Sequence, residues 1–121
     1  MKLRTVCQLL EAELVAGQAI LDEEINSACG SDLLSDVMAF AKDSSILLTG
    51  LATLQTVRTA NLMDIRAVIL VRGKLPTRDM VDEAEKNGML LAVSKYSMFL
   101  SCGKLYEGGL RQGSMYGEIG N

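Results

Sequence analysis

The sequence contains no histidine, and its three cysteines, Cys7, Cys29 and Cys102, show no CxxC spacing. Without histidine the usual zinc sites lose a main ligand, and neither a Ser-His nor a Cys-His catalytic pair is possible. Three cysteines are also an odd number for a disulfide framework. We therefore expect buried reduced thiols, which indicates a reducing, cytoplasmic compartment.

The sequence is also poor in aromatic residues and in positive charge. Aromatic residues make up 4% of the chain, the formal net charge is −3 and the basic residues are scattered singly. Proteins that bind nucleic acids need a basic surface, and those that bind single strands need aromatic platforms on which bases stack. This composition argues against nucleic acid as the main partner.

Long apolar runs are missing as well. No stretch approaches the roughly 20 residues that are needed to span a bilayer. The first residues carry two cations and an apolar stretch, but Gln8, Glu11 and Glu13 interrupt it too early for a signal peptide. We expect a soluble protein with no membrane partner.

The hydrophobic content of 49% in 121 residues is enough for one folded domain without disulfides or metal. Thr5 and Gln8 form a capping-box pattern ahead of an apolar stripe, which predicts a first helix over residues 5 to 14. Residues 18 to 28 are ambiguous and are compatible with one or two short strands.

From Gly30 onward the pattern becomes regular. Short aliphatic runs predict strands at residues 45–50, 67–71 and 89–93. Helical periodicity and capping residues predict helices over residues 30–40 (capped by Ser31), 51–63, 77–87 (capped by Thr77) and 97–106. In the last helix the spacing predicts that Met98, Phe99, Cys102 and Leu105 point inward.

Strands that alternate with helices through short connections predict a parallel sheet, and therefore a single α/β domain with a mostly parallel sheet flanked by helices. We assign residues 1–108 to this domain. Residues 109–121 are rich in glycine and poor in apolar side chains, so we expect a flexible C-terminal tail.

A ligand site in such a sheet is expected at the carboxyl edge, where loops lead into helices and backbone N–H groups lack partners. Glycines allow close approach of a ligand to the backbone, and cations neutralise phosphate or carboxylate groups. The candidate binding residues on these loops are Ser31, Asp32, Thr49, Gly50, Arg72, Gly73, Lys74, Ser94 and Lys95.

Each feature also has a plainer explanation. The glycines suit turns, Ser31 suits a helix cap, and the cations suit solvated loops. Asp32 and Asp36 are four residues apart, as on the solvated face of an amphipathic helix, and we assign no metal to them. The hydroxyls of Ser31, Thr49 and Ser94 have no base nearby in sequence. We therefore predict no catalytic residues, no enzymatic activity and no cofactor.

Several segments, in their order along the chain, resemble the DRTGG domain, in particular its small stand-alone bacterial members. They are SDLLSDVMAFAKDSSILLTG, AVILVRGKLP, AEKNGMLLAVSKYSMF and GKLYEGG. The resemblance runs from about Leu3 to Gly109. It implies the fold of the N-terminal domain of HPr kinase/phosphorylase and a non-catalytic, often dimeric module. Members linked to CBS domains take part in adenine-nucleotide regulation, and stand-alone members are often encoded beside iron-only hydrogenases.

The chain departs from the family pattern at two places. Leu51 and Ala52 stand where many members have an Asp-Arg pair, and Arg72-Gly73 stands where a Gly-Gly pair is common. The leading hypothesis is a homodimeric regulatory module that senses an adenine nucleotide or another small anion and modulates a hydrogenase-type redox complex. The alternative is a pure protein–protein interaction or assembly module without a small ligand.

Overall fold

The computed structural model describes residues 1–40 and 45–113. Within these ranges the chain forms five α-helices and five strands. In chain order they are α1 (Leu3–Leu9), β1 (Glu13–Ala16), β2 (Ser27–Gly30), α2 (Leu34–Phe40), β3 (Ser45–Thr49), α3 (Leu54–Leu62), β4 (Ala67–Leu70), α4 (Arg78–Lys86), β5 (Leu90–Val93) and α5 (Met98–Glu107). None of the described helices is long and apolar enough to cross a membrane.

The five strands form one sheet in the order β1-β5-β4-β3-β2. The strands β2 to β5 are parallel, and β1 pairs antiparallel with β5 at the edge. Each parallel connection steps to the next strand in the same direction, so right-handed crossovers place their helices on one face. The predicted α/β domain with a mostly parallel sheet is confirmed.

The sheet is buried on both faces, and alternate residues of each strand face opposite sides. Ile46 and Ile69 pack with α1 and α5 on one face, whereas Leu47 and Val68 pack with α2, α3 and α4 on the other. All residues of β3 and β4 are buried. This explains why these strands are continuous aliphatic runs rather than alternating patterns.

The predicted first helix is only partly correct. α1 ends at Leu9, the chain turns at Glu11 with φ 47°, and Glu13–Ala16 forms β1. This strand forms because its partner β5, almost eighty residues later in the chain, has unpaired backbone groups along its outer edge. The apolar residues keep a helical spacing past the end of α1 and into β1, which is why the pattern predicted a longer helix. Of the ambiguous residues 18 to 28, Gln18–Ile20 forms a 3-10 turn and the last two belong to β2.

Side-chain caps begin three of the helices. Thr53, Thr77 and Ser97 each accept a hydrogen bond from the backbone N–H three residues later. The predicted cap at Thr77 is confirmed, and α3 begins at Leu54 rather than at residue 51. Ser31 is not the cap of α2, because its hydroxyl accepts from the N–H of Leu33 at 3.0 Å in a turn that precedes the helix.

The prediction for the inward face of α5 is half right. Met98 and Leu105 pack on the core, but Phe99 is 84% exposed and Cys102 is also exposed. The helix buries the small Ser101 instead, which lies on the same stripe as Met98 and Leu105. At about 100° per residue, Phe99 lies on the opposite side of the helix from Ser101 and therefore faces solvent.

The packed part of the chain continues past α5. Leu110 is buried in the core, and the carbonyl of Gln112 accepts a hydrogen bond from the N–H of Ala28 in β2 at 3.1 Å. Residues 114 to 121 of the predicted tail lie outside the described residues. The division of the chain at residue 108 stays a prediction.

Candidate functional site

The carboxyl ends of β2, β3, β4 and β5 lie side by side, because these four strands are parallel neighbours. The ends of these strands and the loops that follow them carry the nine candidate binding residues. Four of these residues form an inner cluster around Asp32, and two line a groove beside the loop that follows β5. Ser31, Lys74 and Ser94 belong to neither group. We refer to Asp32, Thr49, Gly50 and Arg72 as the Asp32 cluster.

The Asp32 cluster is a set of donors around one carboxylate. Asp32 Oδ1 accepts hydrogen bonds from the Gly50 N–H at 2.7 Å and from the Thr49 hydroxyl at 3.1 Å. Its Oδ2 accepts from Arg72 Nη2 at 3.1 Å. The three donors that the sequence offered to an anionic ligand thus converge on a carboxylate of the protein itself.

These contacts change the proton affinity of Asp32. The pKa of its carboxyl is lowered from the ordinary value, chiefly by the hydrogen bond from the Gly50 backbone. Burial opposes this as the second-largest effect, and the contacts from Arg72 and Thr49 lower the pKa further. Hydrogen bonds to the ionised form and a nearby cation both favour the charged state. Asp32 is therefore a carboxylate at neutral pH.

Gly50 has a packing role in this cluster. A Cβ atom built on Gly50 would lie 2.0 Å from Arg72 Nη2 and 2.5 Å from Arg72 Cζ. The guanidinium therefore lies directly against the bare Cα and reaches Asp32 across it. The close approach that a glycine permits is used here by an arginine of the same chain.

Arg72 itself has an unusual backbone. Arg72 and Gly73 have φ values of 60° and 66°, in a turn that the N–H of Lys74 closes by donating to the carbonyl of Val71. A non-glycine residue in this region costs about 1 kcal/mol. The N–H of Arg72 donates to the Tyr96 carbonyl at 2.8 Å, so the turn is fastened to the loop after β5. Lys74 is exposed beside this turn.

Ser94 has a structural role at the end of β5. Its side chain is completely buried, and its hydroxyl donates to the carbonyl of Leu10 at 2.7 Å while accepting from the N–H of Tyr96 at 3.2 Å. The Tyr96 hydroxyl is hydrogen-bonded to the Glu11 carboxylate. Ser94 and Tyr96 together fix the connection between α1 and β1 against the loop after β5.

A groove of about 560 Å³ lies between that connection and the turn at Gly73. Its apolar wall includes Leu75, which is 76% exposed, and its polar wall includes Lys95, Tyr96 and Glu13. Lys104 Nζ lies 4.7 Å from the centre of the Tyr96 ring. Of the candidate residues, Gly73 and Lys95 line this groove. The sequence pattern does not mark Tyr96 or Leu75 as site residues, because a lone aromatic or leucine in a loop carries no distinctive signal.

The geometry offers binding chemistry rather than an activated nucleophile. Burial raises the pKa values of Cys7, Cys29 and Cys102, so these thiols are poor nucleophiles at neutral pH. Over residues 1–40 and 45–113, no group of three or more Cys, Asp or Glu side chains could hold a metal ion. The expectation of buried thiols is not met, because Cys7 and Cys29 are only partly buried and Cys102 is exposed.

The fold is similar to that of a solved structure, the CBS and DRTGG domains of the regulatory region of Clostridium perfringens pyrophosphatase in complex with its activator diadenosine tetraphosphate. The TM-score is 0.67 at 14% sequence identity, over 86% of this chain and 45% of that one. At this identity the similarity shows the fold alone, and the chain spans less than half of that structure. No family model and no curated protein matches the sequence.

Proposed function

We propose that this chain is a non-catalytic regulatory module that binds an adenine nucleotide, or another small anion, at the carboxyl edge of its sheet. One observation carries the proposal: the Gly50 N–H, the Thr49 hydroxyl and the Arg72 guanidinium converge on the carboxylate of Asp32. Backbone N–H groups and a guanidinium are also the donors that bind phosphate oxygens.

The groove beside this cluster supports a nucleoside as the rest of the ligand. Leu75 and the Tyr96 ring provide apolar and aromatic surface for a base, and Lys95 provides a cation on the polar wall of the groove. Gly73 borders the groove, and its neighbour Arg72 reaches Asp32. The turn at Arg72 and Gly73 is therefore shared by the two halves of the proposed site. The activator in the structurally similar regulatory region is an adenine dinucleotide, which supports this ligand class.

The partner side of the proposal rests on the resemblance to stand-alone DRTGG proteins. In this part of the proposal, the chain forms a homodimer that modulates a hydrogenase-type redox complex. Under the regulatory hypothesis, ligand binding at the carboxyl edge of the sheet changes the conformation of the loops that a partner enzyme contacts. Light scattering after size-exclusion chromatography, with and without nucleotide, tests the oligomeric part.

Thermal shift and calorimetry with AMP, ADP, ATP and diadenosine polyphosphates test the ligand. Ligand at 100 times its dissociation constant is expected to stabilise the protein by about 2.7 kcal/mol. Lys95→Ala should weaken binding several-fold. Lys86→Ala is the matched control, since it removes the same charge at the C-terminal end of α4, at the opposite edge of the sheet. A flat response to millimolar nucleotide would contradict the nucleotide proposal.

An interaction or assembly module without a small ligand is the second candidate. It is favoured by the apolar side chains that α5 presents to solvent, Phe99, Leu100 and Tyr106. Phe99→Ser should then abolish the complex with the partner protein while the fold and stability of this chain stay unchanged. Truncation after Gly113 tests the tail, because Leu110 and Gln112 are part of the packed domain and a cut before them would disturb β2.

A further inference from the structure

We propose that Asp32 is a resident anion that competes with the ligand, so that a phosphate group binds the Asp32 cluster only by displacing this carboxylate. The proposal rests on the proposed function for the place of the site, and it adds how access to the site is controlled. It concerns any phosphate-bearing ligand, whether nucleotide, pyrophosphate or inorganic phosphate.

Each of the three donor groups of the cluster makes a hydrogen bond to Asp32. Oδ1 takes the Gly50 N–H and the Thr49 hydroxyl, and Oδ2 takes Arg72 Nη2. Thr49 is completely buried, and its hydroxyl also accepts a hydrogen bond from the N–H of Leu51 at 3.1 Å. The charges of Asp32 and Arg72 cancel. A phosphate that approaches the intact pair therefore meets a guanidinium whose charge is neutralised and a Gly50 N–H that already has an acceptor.

The Asp32 carboxylate is also accessible to solvent, so its side chain has room to move away from the cluster. The side chains of Asp32 and Arg72 are 47% and 41% exposed, and Asp32 lies in the short loop between β2 and α2, outside either element. Exposed ion pairs add little net stability because water screens them. Displacement moves one side chain into solvent and requires no change in the sheet.

A purely structural explanation makes a different prediction. If Asp32 only ties the loop after β2 to those after β3 and β4, its removal lowers stability and leaves anion affinity unchanged. If Asp32 is a competitor, its removal exposes a ready-made set of donors and raises affinity. The two explanations are separated by measuring affinity and stability on the same variants.

The probe is inorganic pyrophosphate, titrated calorimetrically into the full chain at low salt. Asp32→Asn and Asp32→Ala are expected to bind it at least about tenfold more tightly than the unmodified chain, or about 1.4 kcal/mol. Asp36→Asn is the control, since it removes an equal charge four residues later in the first turn of α2. It should change affinity less than threefold. Adding Arg72→Ala to Asp32→Ala should abolish the gain.

A measurement on the unmodified chain covers the case in which the Asp32 variants fold poorly. Saturating pyrophosphate should shift the Gly50 amide resonance and the Asp32 carboxylate carbon resonance together. A shift of Gly50 without a shift of Asp32 would overturn the proposal. So would Asp32 variants that bind pyrophosphate no more tightly than Asp36→Asn, including variants that bind none.

The outcome also separates this proposal from the proposed function. If the unmodified chain binds adenine nucleotides as tightly as the Asp32 variants, the competition is disproved and the regulatory site stands. If the Asp32 variants bind pyrophosphate tightly but no protein binds a nucleotide, the ligand class is wrong and the competition stands.

Discussion

The guanidinium of Arg72 lies 3.1 Å from the carboxylate of Asp32, which is 40 residues earlier in the chain, and it crosses the bare Cα of Gly50 to reach it. Three separate loops meet in this one contact. The contact uses the donors that we propose for an anion, so in that proposal the same atoms govern both the stability of the carboxyl edge of the sheet and the binding of a ligand there.

Replacing Gly50 tests the packing beneath Arg72. In Gly50→Ala the new methyl group would occupy the position of the guanidinium, which must swing away and give up Asp32. We expect the free energy of unfolding, measured in urea, to fall by about 1 kcal/mol. Gly103→Ala is the matched control, because it lies within α5 with open space around it and should gain about 0.5–1 kcal/mol in helix propensity. Equal effects at the two glycines would contradict the packing argument.

The backbone of Arg72 gives a second prediction. Arg72→Ala and Arg72→Gly both remove the ion pair with Asp32, but only the glycine relieves the positive φ of 60°. Arg72→Gly should therefore be about 1 kcal/mol more stable than Arg72→Ala. At Arg58, inside α3, the alanine variant should instead be more stable than the glycine variant, because alanine is the better helix former by about 1 kcal/mol. Denaturation of the four variants settles both comparisons, and alanine as the more stable residue at position 72 would refute the strain.

The pH dependence of stability gives a third prediction. The pKa of Asp32 is lowered from its ordinary value of 3.8, so the folded protein binds the proton more weakly than the unfolded chain does. The stability contributed by this carboxylate is then complete above the unfolded pKa and is lost as the pH falls through the folded one. Asp32→Asn should destabilise the protein by about 1 kcal/mol at neutral pH, and the difference should shrink below about pH 4.

Chemical unfolding of Asp32→Asn and of the unmodified chain, at a series of pH values, measures this difference directly. Asp36→Asn corrects for the loss of one negative charge. A constant difference between Asp32→Asn and the unmodified chain from neutral pH down to about pH 2 would show that the ionised carboxylate does not stabilise the fold.

Local chemistry was enough to predict most of the secondary structure. The strands at residues 45–50 and 67–71 follow from aliphatic runs, and the helix after Thr77 follows from a hydroxyl that caps an N–H three residues later. Such signals act between neighbours in the chain. The sequence accordingly predicts the parallel α/β architecture, but it misses β1, whose only reason to be extended is the distant edge of β5.

The sequence by itself determined which residues reach the carboxyl edge of the sheet, since each one ends a strand or follows one within four positions. Only the tertiary structure decided how they are used. Asp32 meets Arg72 across 40 residues, and Ser94 meets Leu10 across 84. A polar side chain at a loop has several possible partners, and the choice among them depends on which backbones the packed core brings within 3 Å, a quantity that no local pattern encodes.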